Sequence, residues 1–166
     1  MKEGFIQILD ERIIKYTSIV KGDVGRNAMK DPESTIDKMI DSQKTTFVGS
    51  VDADGYPNMK AMFAPRVREG IKRLYFTTNT SSMRVKQYLV DSKACIYFFD
   101  GRFFRGVMLK GTMEVLTDDH SKEMVWRDGD EMYYKEGVSD PDYCVLRFTA
   151  SSGRYYSNFS SQDFDI

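Results

Sequence analysis

The stretch LYFTTNTSSMRVKQYLVDSKACIYFF, Leu74–Phe99, changes its periodicity twice. RLYFTT is aromatic and β-branched and reads as a strand. SSMRVKQYLVD reads as a short helix with Val85 and Leu89 on one face, and KACIYFF as a strand again. The joint between the first strand and the helix carries the chemistry. With Ser81 as N-cap, Ser82 opens the helix, and Arg84 and Lys86 fall within its first turn and a half. A helix N-terminus carries partial positive charge, so two cations there are mildly unfavourable unless something negative lies between them. Two readings follow. Either the hydroxyls only cap the helix and the cations are solvated, or N–H groups, hydroxyls and cations converge on an anion such as a phosphate.

Upstream, TTFVGSVDADGYPNMKAMFAP (Thr45–Pro65) reads as two strands around the turn DADG, where Gly55 supplies a positive φ. A calcium loop starting at Asp52 would need a carboxylate at its twelfth position, which is Phe63. On the second strand Asn58, Lys60, Met62 and Ala64 share one face, and Met59, Ala61 and Phe63 share the other. Lys60 is thus a cation inside an apolar strand, either protecting an edge or reaching a ligand. Ahead of the hairpin, Ile36, Met39 and Ile40 mark a helix around residues 34–43. A longer amphipathic helix over residues 4–20 carries Phe5, Leu9, Ile13, Tyr16 and Val20. KGDVGRNAMKDPES links the two, which divides the chain into an N-terminal helix and linker (1–33) and a folded domain (34–166).

Downstream, GRFFRGVMLKGTMEVL reads as a long strand with Val107, Leu109, Met113 and Val115 opposite Lys110, Thr112 and Glu114. DDHSKEMVWRDGDEMYYKEG reads as one or two short helices, and DYCVLRFTA and GRYYSNF as the last two strands, separated by SSG. The pattern is mainly β (α+β): a small, closed or partly closed antiparallel barrel with interposed helices.

Composition narrows the function. The 166 residues are 41% hydrophobic, with 24 basic and 25 acidic side chains and a net charge of −1. A folded domain is expected, and a dedicated nucleic-acid binder is not. Cys95 and Cys144 sit in apolar runs and read as buried thiols. One histidine, His120, and no CxxC pair leave no zinc or haem pattern. Arg127–Glu131 (RDGDE) reads as a solvated turn, and Trp126, Tyr133, Tyr134, Tyr143, Tyr155 and Tyr156 as core or dimer contacts. Glu3, Asp10 and Glu11 interrupt the N-terminal apolar positions, so neither a signal peptide nor a membrane span is expected, and the location is expected to be cytoplasmic.

GYPNMKAMF followed by LYFTTNTSSMRVKQYLVDSKACIYFF resembles the pyridoxamine 5'-phosphate oxidase-like FMN-binding split barrels, and most of all their general stress protein branch. The likeness runs from about Ile36 to Phe159 and includes VMLKGTMEVL, the Trp126 region and DPDYCVLRF. It implies a six-stranded antiparallel split β-barrel with peripheral helices, and a homodimer with FMN at the subunit interface. On that likeness Lys60 and Met62 lie on the strand beside the flavin. Thr77 and Thr78 approach its ring and ribityl chain, and Ser82, Arg84 and Lys86 match the phosphate-binding run. Met83 stands where many members have arginine, and Gly106 where the pyridoxamine phosphate oxidases have a glutamine for the flavin. Arg154 and Tyr155 are candidates to reach the partner's flavin.

The resemblance implies a flavin-dependent oxidoreductase with a small-molecule electron donor and acceptor and no identified catalytic acid or base. The C-terminal YYSNFSSQDFDI lacks the histidine-bearing segment that grips pyridoxamine phosphate, so that substrate is not expected. The alternatives are a non-catalytic flavin-binding stress protein, a deazaflavin-dependent reductase, or a split barrel with an empty site that serves as an interaction module.

Overall fold

A computed structural model describes residues 32–166; the helix expected over residues 4–20 lies outside the described residues. Helix α1 (Pro32–Ser42) buries Ile36, Met39 and Ile40, whose spacing makes one stripe that joins the main core. The strands are β1 (Thr45–Val51), β2 (Pro57–Phe63), β3 (Val67–Glu69), β4 (Arg73–Asn79), β5 (Lys93–Asp100), β6 (Arg105–Leu116), β7 (Tyr143–Ser157) and β8 (Ser160–Asp165). Helix α2 (Met83–Val90) links β4 to β5. Helix α3 (Asp119–Val125) and two 3-10 turns, Asp130–Met132 and Gly137–Ser139, link β6 to β7.

All pairings are antiparallel, in the order β2-β1-β5-β6-β7-β4-β3, with β8 added to β7. β2 and β3 end the sheet and do not pair, so the barrel is split along a seam. Strand alternation sends Val48, Phe76, Ile96, Leu109, Leu146 and Phe148 into the main core. A second, smaller core on the other face of β4 and β7 gathers Tyr75, Val125, Tyr134, Tyr143 and Val145, with Trp126 packed against it.

The strand count differs from the expected six. The two last strands expected at DYCVLRFTA and GRYYSNF are one, β7, because the small residues between them continue the ladder through a bulge opposite Lys110–Gly111. β8 and the three-residue β3 had no alternating signal. Leu89 is exposed rather than buried beside Val85; the packed positions of α2 are Val85, Gln87 and Tyr88. Tyr88 donates to the Gly49 carbonyl at 3.1 Å and Ser50 donates to Gln87 at 2.6 Å, so α2 is fastened to β1 by polar contacts that hydrophobic spacing does not reveal. The DADG turn is as read: Gly55 has φ 84°, and Asp52 accepts from the amides of Asp54 and Tyr56.

Gly111 sits at the bulge. A Cβ there would stand 1.9 Å from the Thr149 carbonyl oxygen and 2.9 Å from the Ala150 Cα, both backbone atoms that cannot step aside. Gly111→Ala is expected to destabilise the fold by about 3 kcal/mol or more. Gly55→Ala, in open space but at positive φ, is expected to cost only about 1–2 kcal/mol. Denaturant titration of the two variants checks the contrast.

Candidate functional site

The seam of the barrel holds a cavity of about 350 Å³. The end of β2 supplies Ala61, Met62 and Phe63, and β4 supplies Phe76, Thr77, Thr78 and Asn79. Thr45, Ala64 and Arg66 line it as well, together with Arg84 of α2 and Tyr133 and Tyr134 beyond the first 3-10 turn. One part is hydroxyl and guanidinium, the other aliphatic and aromatic. Of the residues expected at the site, Met62, Thr77, Thr78 and Arg84 come together here. Lys60 is exposed on β2, opposite Val48 on β1, and Met83 and Lys86 are exposed on α2; none of these three lines the cavity.

Ser82, not Ser81, is the N-cap of α2; its Oγ accepts from the Val85 amide at 3.4 Å. Ser81 is turned the other way. Its amide and hydroxyl donate to the Asp142 carboxylate at 2.7 and 3.1 Å, and the Asn79 side chain donates to the same group at 2.8 Å. The polar run therefore already has an anion, supplied from the start of β7 more than sixty positions away. No local pattern could have named it. The Ser81 amide, then the Asn79 amide and the Ser81 hydroxyl, hold the Asp142 carboxyl below its ordinary range.

Arg84 answers to a different environment. One Nη2 donates to Thr78 Oγ1 at 3.2 Å, while its Nε is buried with no hydrogen-bond partner among the described residues. A buried guanidinium N–H left without an acceptor is costly.

Arg66, missed in the sequence, shapes the opposite wall. It makes a two-pronged ion pair with Asp130 at 3.0 and 2.7 Å, and Asp130 also accepts from the Arg127 amide. Arg127 in turn donates to the Arg66 carbonyl. RDGDE is a solvated turn at Arg127, Asp128, Gly129 and Glu131, but not at Asp130, which is only 4% exposed and whose ion pair pins the segment carrying Tyr133 and Tyr134 across the seam. Tyr134 and Tyr143 stack at 4.6 Å, and Trp126 meets Tyr143 edge-on at 5.3 Å, as expected of core aromatics. Burial pushes the Tyr143 hydroxyl up to about 12 and raises both cysteine thiols, so none of these is a ready base or nucleophile. Among the described residues no group of three His, Cys, Asp or Glu side chains could hold a metal ion, and no helix is long and apolar enough to cross a membrane.

A split antiparallel barrel with a half-polar cavity at its seam defines a class, and comparison with known proteins names it. The chain belongs to the pyridoxamine 5'-phosphate oxidase family, whose model matches residues 33–157. It is 42% identical to a Clostridium acetobutylicum protein related to general stress protein 26 of Bacillus subtilis, of the pyridoxinephosphate oxidase family. That likeness covers 80% of this chain and 93% of the relative, with a TM-score of 0.74. General stress protein 26 of Bacillus anthracis shares the fold at 16% identity, over 81% of this chain and 98% of that one, with a TM-score of 0.66. So does a nimC/nimA family protein of C. acetobutylicum at 19% identity, over 82% and 94%, with a TM-score of 0.65. A comparison with curated proteins gives no match.

Asp130→Asn leaves Arg66 largely buried without its counter-charge and is expected to cost about 3 kcal/mol. Trp126 is the chain's one tryptophan, so its emission should report loosening of the adjacent aromatic cluster. For Asp142 the folded pKa lies below the unfolded value of about 3.9. Its hold on the turn is therefore complete above that value and lost as pH falls through the folded pKa. Protection of the Ser81 amide against hydrogen exchange, compared between wild type and Asp142→Asn, should converge only in that acidic window.

Proposed function

We propose that this chain is an FMN-binding oxidoreductase, working as a homodimer on a small-molecule donor and acceptor, with residues 34–166 as its folded unit. The observation that carries the reading is Arg84: a buried, unsatisfied guanidinium N–H beside the Thr78 hydroxyl, at a cavity whose remaining wall is apolar and aromatic. That combination suits a ligand with an anionic group at one end and a flat ring at the other. The cavity lies at the lower end of the range for small-molecule sites, about 300–1,000 Å³. The residues present fit FMN, which when bound supplies hydride and electron transfer.

The chain's own residues have assignable parts in this reading. Arg84 and Thr78 take the phosphate, and Ser82 holds the start of α2 so that Arg84 faces inward. Thr77 and Asn79 border the polar part, and Met62, Phe76 and Tyr134 exclude water from the ring. Lys60, Met83 and Lys86 have no place inside the cavity of a single copy. The 42% identical relative and the family match support a flavin site; vitamin B6 oxidation is not part of the proposal, because no histidine lines the cavity among the described residues.

The visible spectrum of the purified protein and chromatography of any released chromophore test the cofactor: FMN is expected, and a deazaflavin would replace it in the same site. Steady NAD(P)H oxidation with an added acceptor separates an enzyme from a flavin-holding stress protein. Arg84→Ala is expected to weaken FMN by about 10- to 100-fold, the worth of a charge-assisted hydrogen bond, with riboflavin affinity changed less than about threefold. Lys86→Ala is expected to leave both affinities close to wild type. Equal losses of FMN and riboflavin in Arg84→Ala would remove the phosphate assignment.

A further inference from the structure

The alternation that sends Val48, Ile96 and Leu109 into the main core turns Gly49, Cys95 and Lys110 to the outer face of the sheet. They belong to one row across it, Met59–Gly49–Cys95–Lys110–Ser152. The row is low in its middle. Gly49 offers no side chain, and a Cβ there would stand 2.6 Å from the Cys95 Sγ, so the thiol lies over the gap. Beside Lys110 the bulge at Gly111 bends the ladder. The result is a groove of about 730 Å³, lined by apolar Val51, Pro57 and Met59 and by Lys93 and Lys110, both exposed. It shares no lining residue with the seam cavity.

The chain enters the fold at the edge of this groove. Helix α1 starts at Pro32, and Glu33 abuts the β3–β4 turn, where a Cβ on Gly70 would stand 3.0 Å from its Oε1. In that turn the Lys72 carbonyl accepts from the Ala150 amide at 2.8 Å, and Ala150 lines the groove. Residues 21–31 can span up to about 36 Å, so residues 4–20 are within reach of it. Helical spacing gathers Phe5, Leu9, Ile13, Tyr16 and Val20 into one stripe and sets Glu3 and Asp10 along a single border of that stripe. A helix over residues 4–20 would measure about 26 Å. From Met59 to Ser152 the groove crosses four strand spacings, on the order of 19 Å. The family match begins at residue 33, so the stripe lies outside the part of the chain that the family model describes.

We propose that residues 4–20 dock as a helix in the groove of their own chain. The stripe faces Gly49 and Cys95, and Glu3 and Asp10 lie toward Lys93 and Lys110. An amphipathic helix draws most of its stability from an apolar surface that covers its stripe, and the groove is such a surface at the point where the chain arrives. The tether raises the effective concentration of the segment to the order of millimolar, which a free ligand or a second copy would have to exceed. Burial of the stripe supplies the affinity. The acid–lysine contacts at the border add little energy but set the direction of the helix, and Lys93 already lies 3.6 Å from Asp91.

Cys95 is a built-in reporter, because it is half-buried in the groove while Cys144 is fully buried. The proposal does not rest on the flavin reading, and its test uses the full chain with or without flavin. Leu9→Glu/Ile13→Glu is expected to raise the rate at which Cys95 reacts with a maleimide at least tenfold, with Trp126 emission unchanged. An unchanged rate overturns the docking. So does a rate that falls with protein concentration alike in wild type and variant, since a second copy then covers the groove. Single variants Phe5→Cys, Leu9→Cys, Ile13→Cys and Tyr16→Cys supply the second measurement. Mild oxidation should join at least one of them to Cys95 within a single chain, whereas Ser18→Cys, on the opposite side of the helix, should form no such disulfide. No disulfide from any stripe position, or disulfides only between two chains, overturns the placement, and an equal yield from Ser18→Cys overturns the orientation.

Discussion

The barrel does not close, and most of what this molecule can do follows from that constraint. A sheet that ended in mutual pairing of β2 and β3 would have no cavity between them. The open seam leaves strand ends whose inward residues cannot all reach the core. Arg84 and Thr78 face the space that remains, and the Arg66–Asp130 pair spans it from outside the sheet. Isolating that ion pair from water is costly, and it is tolerated because both prongs and the Arg127 amide satisfy the carboxylate. In return the segment bearing Tyr133 and Tyr134 is held as a wall.

Two anion arrangements lie side by side at the start of α2. Asp142 uses the amide and hydroxyl of Ser81 and thereby orders the turn, while Arg84, three residues on, keeps one N–H without an acceptor among the described residues. The division explains how cations can sit at a positively polarised helix start. The turn is neutralised from one side by the protein's own carboxylate, and the inward cation donates to Thr78 on β4.

Much of this was readable along the chain. Alternation in β6, the stripe of α1, the turn at Gly55 and the strand–turn–helix run at Leu74–Phe99 are short-range patterns with one physical outcome, and each forms where it was expected. Four of the expected site residues, Met62, Thr77, Thr78 and Arg84, line one cavity. The misreadings share a cause. Leu89 obeys helical spacing but faces water because α2 is fastened through Gln87 and Tyr88 instead. Of the two readings open for Lys60, the exposed edge strand β2 favours the solvated edge over the cavity of a single copy. Within RDGDE only Asp130 departs from a solvated turn, because the partner that buries it is Arg66, some sixty residues earlier.

By itself, then, the amino-acid sequence determined most of the elements and the buried stripe or face of the strongly periodic ones, such as α1 and β6, since these depend on neighbours within a few residues. Only the tertiary structure decided which of the two cations in the Ser82–Lys86 run points inward, which carboxylate tethers the turn, and that eight strands leave a seam with tyrosines across it. The Asp142 tether and the Arg66–Asp130 pair join residues more than sixty positions apart, and the inward turn of Arg84 depends on where β4 meets α2; local periodicity carries no information about either.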